Sequence, residues 1–95
     1  MSNVVKYRNI VAFHPGYYIK DIINAKEISK TEFADRLGIP ERTLNLLING
    51  HISVSNDLAN KLSKFLGTSP EIWLRLQHEY DKKINIIQHQ EREMI

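Results

Sequence analysis

Cysteine is absent from the 95 residues. That excludes disulfides, thiolate zinc sites, iron–sulfur clusters and a cysteine nucleophile. Glycine and proline are scarce, with four and three copies, which argues against a turn-rich β fold. No apolar run approaches the roughly 20 residues that cross a bilayer. The opening Met1-Ser2-Asn3-Val4-Val5-Lys6 lacks a basic flank followed by an apolar block. No secretory signal is therefore expected, no membrane partner either, and cytoplasm is the expected compartment. A strong charge bias is also missing: 13 Lys+Arg against 11 Asp+Glu leave a net charge of +2. Such a balance permits nucleic-acid binding without announcing it. The distribution says more, because residues 1–20 carry Lys6, Arg8 and Lys20 and no acid.

What is present is one domain's worth of chain, 42% apolar and 25% charged, too apolar for wholesale disorder. Residues 1–14 are read as an arm, apolar but with no clean period, closed by His14-Pro15-Gly16. Residues 15–81 form the expected domain, and 82–95 a C-terminal extension. Tyr18, Ile19, Ile22 and Ile23 give a helical stripe from about Tyr17 to Ala25. Ser29 with Glu32 three residues later is a capping box for a second helix, which Gly38 stops. Pro40 stands in the first turn of a third helix running to about Ile48. Ser55 caps a fourth helix that ends at Gly67. Thr68-Ser69-Pro70-Glu71 opens a fifth, whose stripe is Trp73, Leu76, Tyr80, Ile84 and Ile87. Five helices with short connections predict an all-α fold.

Residues 30–49 are the informative stretch. Two short helices meet there across a turn with Gly38 where positive φ is needed. Ala34 is the small residue where the helices nearly touch, and Phe33, Leu37, Ile39, Leu44 and Leu47 clamp the pair. That is the size pattern of a helix-turn-helix.

The chain resembles the lambda-repressor-like (XRE-type) helix-turn-helix family, and within it the HigA/VapI-type antitoxins. The resemblance rests on His14-Pro15-Gly16, on Ser29-Lys30-Thr31-Glu32-Phe33-Ala34, and on Leu47-Ile48-Asn49-Gly50. It extends through Leu66-Gly67-Thr68-Ser69-Pro70-Glu71-Ile72-Trp73-Leu74-Arg75-Leu76-Gln77. It implies a compact five-helix lambda-repressor-like domain with a short arm and an extended last helix. It also implies an antitoxin that acts as a homodimer on double-stranded operator DNA. Its other implied partner is a HigB-like mRNA-cleaving RNase toxin, in a heterotetramer. The rival readings are a stand-alone repressor without a toxin, and an interaction domain that has lost DNA binding.

The third helix would enter the major groove. Arg42 matches the O6 and N7 acceptors of guanine, Asn45 can read adenine, and Thr43 a phosphate or thymine methyl. Glu41 would repel phosphate unless it accepts from cytosine N4. Leu46 lies about 200° from Leu44, either meeting a thymine methyl or leaning on its neighbours. Phosphate contacts are expected from Lys30, Thr31, Asn49, His51 and Ser53. Lys30 stands where the family more often has Gln, a point charge in place of a bridging amide.

The resemblance places the fifth helix near the dimer axis, hence Trp73, Leu76, Gln77, Tyr80 and Ile84 as the expected dimer contacts. Val4, Val5, Tyr7, Ile10, Val11 and Phe13 of the arm exceed what a helical core needs and are the expected toxin contacts. Ile84, Ile86, Ile87, Met94 and Ile95 make the end of the last helix similarly apolar. Catalytic chemistry is not indicated. His78 and His89 share a face but lie about 16 Å apart, too far for one metal. His78-Glu79 lacks the second histidine of a zinc-protease motif. No enzyme activity, metal or cofactor is expected.

Overall fold

A computed structural model describes residues 3–93; Met94 and Ile95, expected to add to the apolar end of the last helix, lie outside that range. The described residues form a β-hairpin followed by five helices. The hairpin corrects the expectation of an irregular arm and makes all-α an approximation. Strand β1 (Val4–Tyr7) pairs antiparallel with β2 (Ile10–Phe13), in the register Val4 with Phe13 and Tyr7 with Ile10. The connection is Arg8-Asn9, with Arg8 at φ 55°, a left-handed conformation usually given to Gly or Asn. Apart from Lys6, both hairpin faces are apolar, so the alternation that marks a strand is masked.

Helix α1 (Pro15–Lys26) starts two residues earlier than the stripe predicts, because Pro15 fits its first position. It ends at Glu27, which adopts φ 56° without glycine. Helix α2 (Lys30–Leu37) is capped by the Ser29 hydroxyl, which accepts from the Glu32 amide at 3.0 Å. The Glu32 carboxylate pairs with Arg36 at 2.6 Å, one turn forward. Gly38 turns left-handed at φ 84°, and its amide donates back to Ala34 and Asp35. Helix α3 (Glu41–Ile48) follows with Pro40 just before its first turn. Helix α4 (Asn56–Leu66) is capped by Ser55, and α5 (Pro70–Glu93) is the long last helix.

Ile19, Phe33, Ala34, Leu37, Leu44, Leu47, Ile48, Ala59, Leu62 and Trp73 form the core. Strand β2 packs along α5 and buries Ala12 completely. A close approach of main chain to main chain lies at Gly16 on α1. A β-carbon there would lie 2.2 Å from the carbonyl oxygen of Leu47 and 2.8 Å from the α-carbon of Ile48. α1 therefore lies backbone to backbone on the end of α3.

Candidate nucleic-acid interface

α2 and α3 meet across Gly38-Ile39-Pro40, with Leu44, Leu47 and Ile48 holding α3 to the core. At about 100° per residue, Arg42, Leu46 and Asn49 fall within about 60° of each other on the opposite face. All three are exposed, Leu46 by 38%. Leu46 is therefore an apolar tip on the outward face. Thr43 and Asn45 are half-buried at its margins. The Asn45 Oδ1 is buried and accepts no hydrogen bond among the described residues. In this rotamer Asn45 presents no paired donor and acceptor to adenine. Turning outward would relieve an unpaired acceptor, worth about 1–3 kcal/mol when buried.

Glu41 accepts from the Thr31 hydroxyl at 2.5 Å, tying the start of α3 to the start of α2. Two site expectations change with that bond. The Thr31 hydroxyl has its proton engaged, and the Glu41 charge is partly met from within. Glu41 also favours the positive end of the α3 dipole. Lys30 is exposed at the first position of α2, where a cation opposes the helix dipole and suits an incoming phosphate. Asn49, His51 and Ser53 are exposed along the loop that leaves α3. Lys30, Arg42, Asn49, His51 and Ser53 thus remain open to a duplex.

Behind this surface sits His14, only 1% exposed. Its Nδ1 accepts from the Gly16 amide at 2.9 Å and caps α1, so Nε2 carries the proton and donates to the Ile52 carbonyl at 2.9 Å. Tyr80 meets its ring edge-on, with centroids 4.9 Å apart. Burial pushes the His14 pKa below its ordinary 6.5, against smaller upward pulls from the Ile52 carbonyl and Asp81. Below pH 6.5 the unfolded chain then binds the proton more readily than the folded one. The His14 contribution is complete above pH 6.5 and is lost progressively below it, as the pH falls through the lower pKa of the folded state. We expect the melting temperature to drop between pH 7.5 and 5.5, with a shallower slope in His14→Asn. Equal slopes in the two proteins would contradict the burial argument.

The expected dimer contacts divide. Trp73 belongs to the core, and its indole N–H donates to Thr68 Oγ1 at 2.8 Å. Gln77 is buried and bonded to the Val54 amide. Neither can offer surface to a second protomer, which corrects that expectation for both. Leu76, Tyr80 and Ile84 are half-buried. The exposed apolar residues of α5 are Ile72 and Ile86, at 45% each. Ile72 sits off the stripe of Trp73, Leu76, Tyr80, Ile84 and Ile87, so the stripe does not point to it.

The six arm residues divide as well. Alternation puts Val5, Tyr7 and Ile10 on the face of the buried Ala12, and Val4, Val11 and Phe13 on the other. Phe13 continues into α1 through Tyr17 and Tyr18, with centroids 5.1 and 6.4 Å away. All three rings are exposed. The two tyrosines were not among the expected partner contacts; only the fold brings them beside Phe13. Among the described residues no group of three His, Asp or Glu is placed to hold a metal. No helix among them is long and apolar enough to cross a membrane.

Comparison with known proteins gives a consistent picture. The helix-turn-helix family matches residues 19–73. Virulence-associated protein A' of Dichelobacter nodosus is 42% identical over 69 residues, 72% of this chain and 60% of that protein. The chain thus spans about three fifths of that relative's length. An addiction module antidote protein of a HigA family from Coxiella burnetii is 33% identical with a TM-score of 0.76, covering 90% of this chain and 91% of its own. A Pseudomonas aeruginosa antitoxin HigA, solved with the higBA promoter, is 27% identical with a TM-score of 0.77, covering 90% of each chain.

Proposed function

Because the chain belongs to the HigA-type antitoxins of the helix-turn-helix family, we propose that it represses its own operon and neutralises a HigB-like RNase toxin. It binds double-stranded operator DNA as a homodimer, and a heterotetramer forms with the toxin. The observation that carries the reading is the outward face of α3, where Arg42, Leu46 and Asn49 stand opposite the core. The relative solved with its promoter supports it, because that chain shares the fold over nearly its whole length. Two reading heads are needed because helix-turn-helix operators repeat their half-sites about one helical turn apart. Ile72 and Ile86, with the half-buried Leu76, Tyr80 and Ile84, are the α5 residues that remain for a dimer contact.

Toxin capture falls to the outward hairpin face: Val4, Val11, Phe13, Tyr17 and Tyr18. Exposed aromatics in mutual contact are the usual anchors of a protein interface. Deleting residues 1–13 is a poor test, because Asn3 Nδ2 donates to the Ile48 carbonyl at 3.0 Å and β2 covers α5. A charge on the outer face is cleaner. We expect Phe13→Glu with Tyr17→Glu to abolish growth rescue when co-expressed with the cognate toxin. Helicity and operator binding should be retained. Full rescue by this variant would move the toxin site off the hairpin.

A further inference from the structure

The loop between α3 and α4 alternates. His51 and Ser53 face solvent, while Ile52 is half-buried and Val54 lies in the core. Its near end is tied to α3, where the His51 amide donates to the Leu46 carbonyl at 2.9 Å. Its far end is held by two side chains distant in sequence. The His14 Nε2–H donates to the Ile52 carbonyl at 2.9 Å, and Gln77 Oε1 accepts from the Val54 amide at 2.8 Å. Each holder is itself fixed by a second bond. His14 Nδ1 accepts from the Gly16 amide at 2.9 Å, and Gln77 Nε2 donates to Asp81 Oδ1 at 2.9 Å. With both atoms of each side chain engaged, neither the imidazole tautomer nor the amide orientation is free.

Both holders are almost wholly buried, Gln77 at 6% exposure and His14 at 1%. The cheapest occupants of such places are apolar. Their polar atoms answer main-chain groups of a loop that has no ladder or helix to bond to. The two pinned residues flank Ser53 on either side. The pins therefore set where the Ser53 hydroxyl and the His51 ring stand relative to Arg42 on α3.

We propose that His14 and Gln77 are positioning residues for operator binding. Acting through the main chain of Ile52 and Val54, they hold the phosphate-contacting loop at a fixed place beside the reading helix. The inference rests on the DNA-facing reading of α3 and its loop given above. It adds that the register between base contacts and phosphate contacts is set from α5 and from the start of α1. A phosphate contact that must be ordered at the moment of binding is weaker than one held in advance.

The test is a set of operator titrations across salt concentrations, well below the melting temperature of each protein. Gln77→Met keeps the length and removes both bonds. We expect about a tenfold loss of operator affinity with the salt slope nearly unchanged, because the Ser53 hydroxyl is uncharged and releases no counterion. Gln77→Glu with Asp81→Asn reverses the polarity of the second bond and keeps both, so it should restore affinity. Ser53→Ala should weaken binding in the wild type and add little to Gln77→Met, the signature of one coupled unit. Asp81→Ala changes an exposed residue and keeps the question open to test if Gln77→Met does not fold; it should shrink the Ser53→Ala effect. A Gln77→Met protein with a lower melting temperature but unchanged operator affinity would overturn the proposal. So would full additivity of Ser53→Ala with Gln77→Met, or with Asp81→Ala. If Ser53→Ala and His51→Ala have no effect in the wild type, the loop is not a phosphate rim and the proposal falls with it. Loss of all discrimination in Arg42→Ala with these loop effects intact leaves it standing.

Discussion

Gly16→Ala should unfold or severely destabilise this protein, although it adds one methyl group to a helix and improves helix propensity. The new β-carbon would lie 2.2 Å from the Leu47 carbonyl oxygen and within 3.0 Å of two Ile48 backbone atoms. Contacts under about 3 Å to backbone cannot be relieved by a rotamer change. α1 must lift from α3, and the His14 cap on the Gly16 amide is strained with it. Overpacking into side chains costs about 1–3 kcal/mol. Here the obstacle is main chain, so the upper end of that range is the floor. At about 4–8 °C per kcal/mol for a domain of this size, the melting temperature should fall by at least about 12 °C. Gly38→Ala makes the useful contrast. A β-carbon at Gly38 meets nothing within 4 Å, but the φ of 84° is left-handed. Its cost is the left-handed penalty of about 1–2 kcal/mol alone. Thermal unfolding followed by circular dichroism ranks the two. Equal losses would mean that α1 and α3 do not touch at Gly16.

That contact also shows where sequence reading stops. Gly16 follows Pro15, and the pair reads as punctuation before a helix. Its real task is set by α3, thirty residues away, and no local pattern carries that. The caps were legible because they are local: Ser29, Gly38, Ser55 and Gly67 each bond or turn within a few residues of themselves. The helical stripes were legible because one face of each helix is buried. The hairpin was not, because its outer face is apolar apart from Lys6 and its turn has no glycine. The β-branched Val4, Val5, Ile10 and Val11 were the available signal. Gln77 is expected at the dimer axis only because the resemblance places the fifth helix there; its inward place depends on the main-chain amide of Val54, distant in sequence and invisible to any local pattern. The outward face of α3 was readable by subtraction, since Leu44, Leu47 and Ile48 leave little choice about where Arg42 points.

Arg42→Ala should reduce operator affinity by about tenfold or more while leaving affinity for a scrambled duplex nearly unchanged. Arg42 is exposed in the first turn of α3, on the face turned away from the core, and none of the ion pairs described within the chain engages it. A guanidinium so placed can present two parallel donors to guanine O6 and N7. Losing such a pair is worth about 1–3 kcal/mol of discrimination against the wrong base. Lys30→Ala should behave differently. Its ammonium, at the first position of α2, meets phosphate, and phosphates carry no sequence information. Operator and scrambled affinities should fall together, and the salt slope should drop by about one. Neither side chain belongs to the core, so circular dichroism and the melting temperature should stay at wild-type values. Titrating both duplexes at several salt concentrations separates the two roles, because discrimination and slope are independent readouts. If Arg42→Ala lowers both affinities equally, its guanidinium is holding phosphate and base reading must come from Glu41, Thr43, Asn45 or Leu46. If both substitutions leave operator affinity intact, α3 is not the reading helix, and a domain that retains the fold without its DNA contacts becomes the better account.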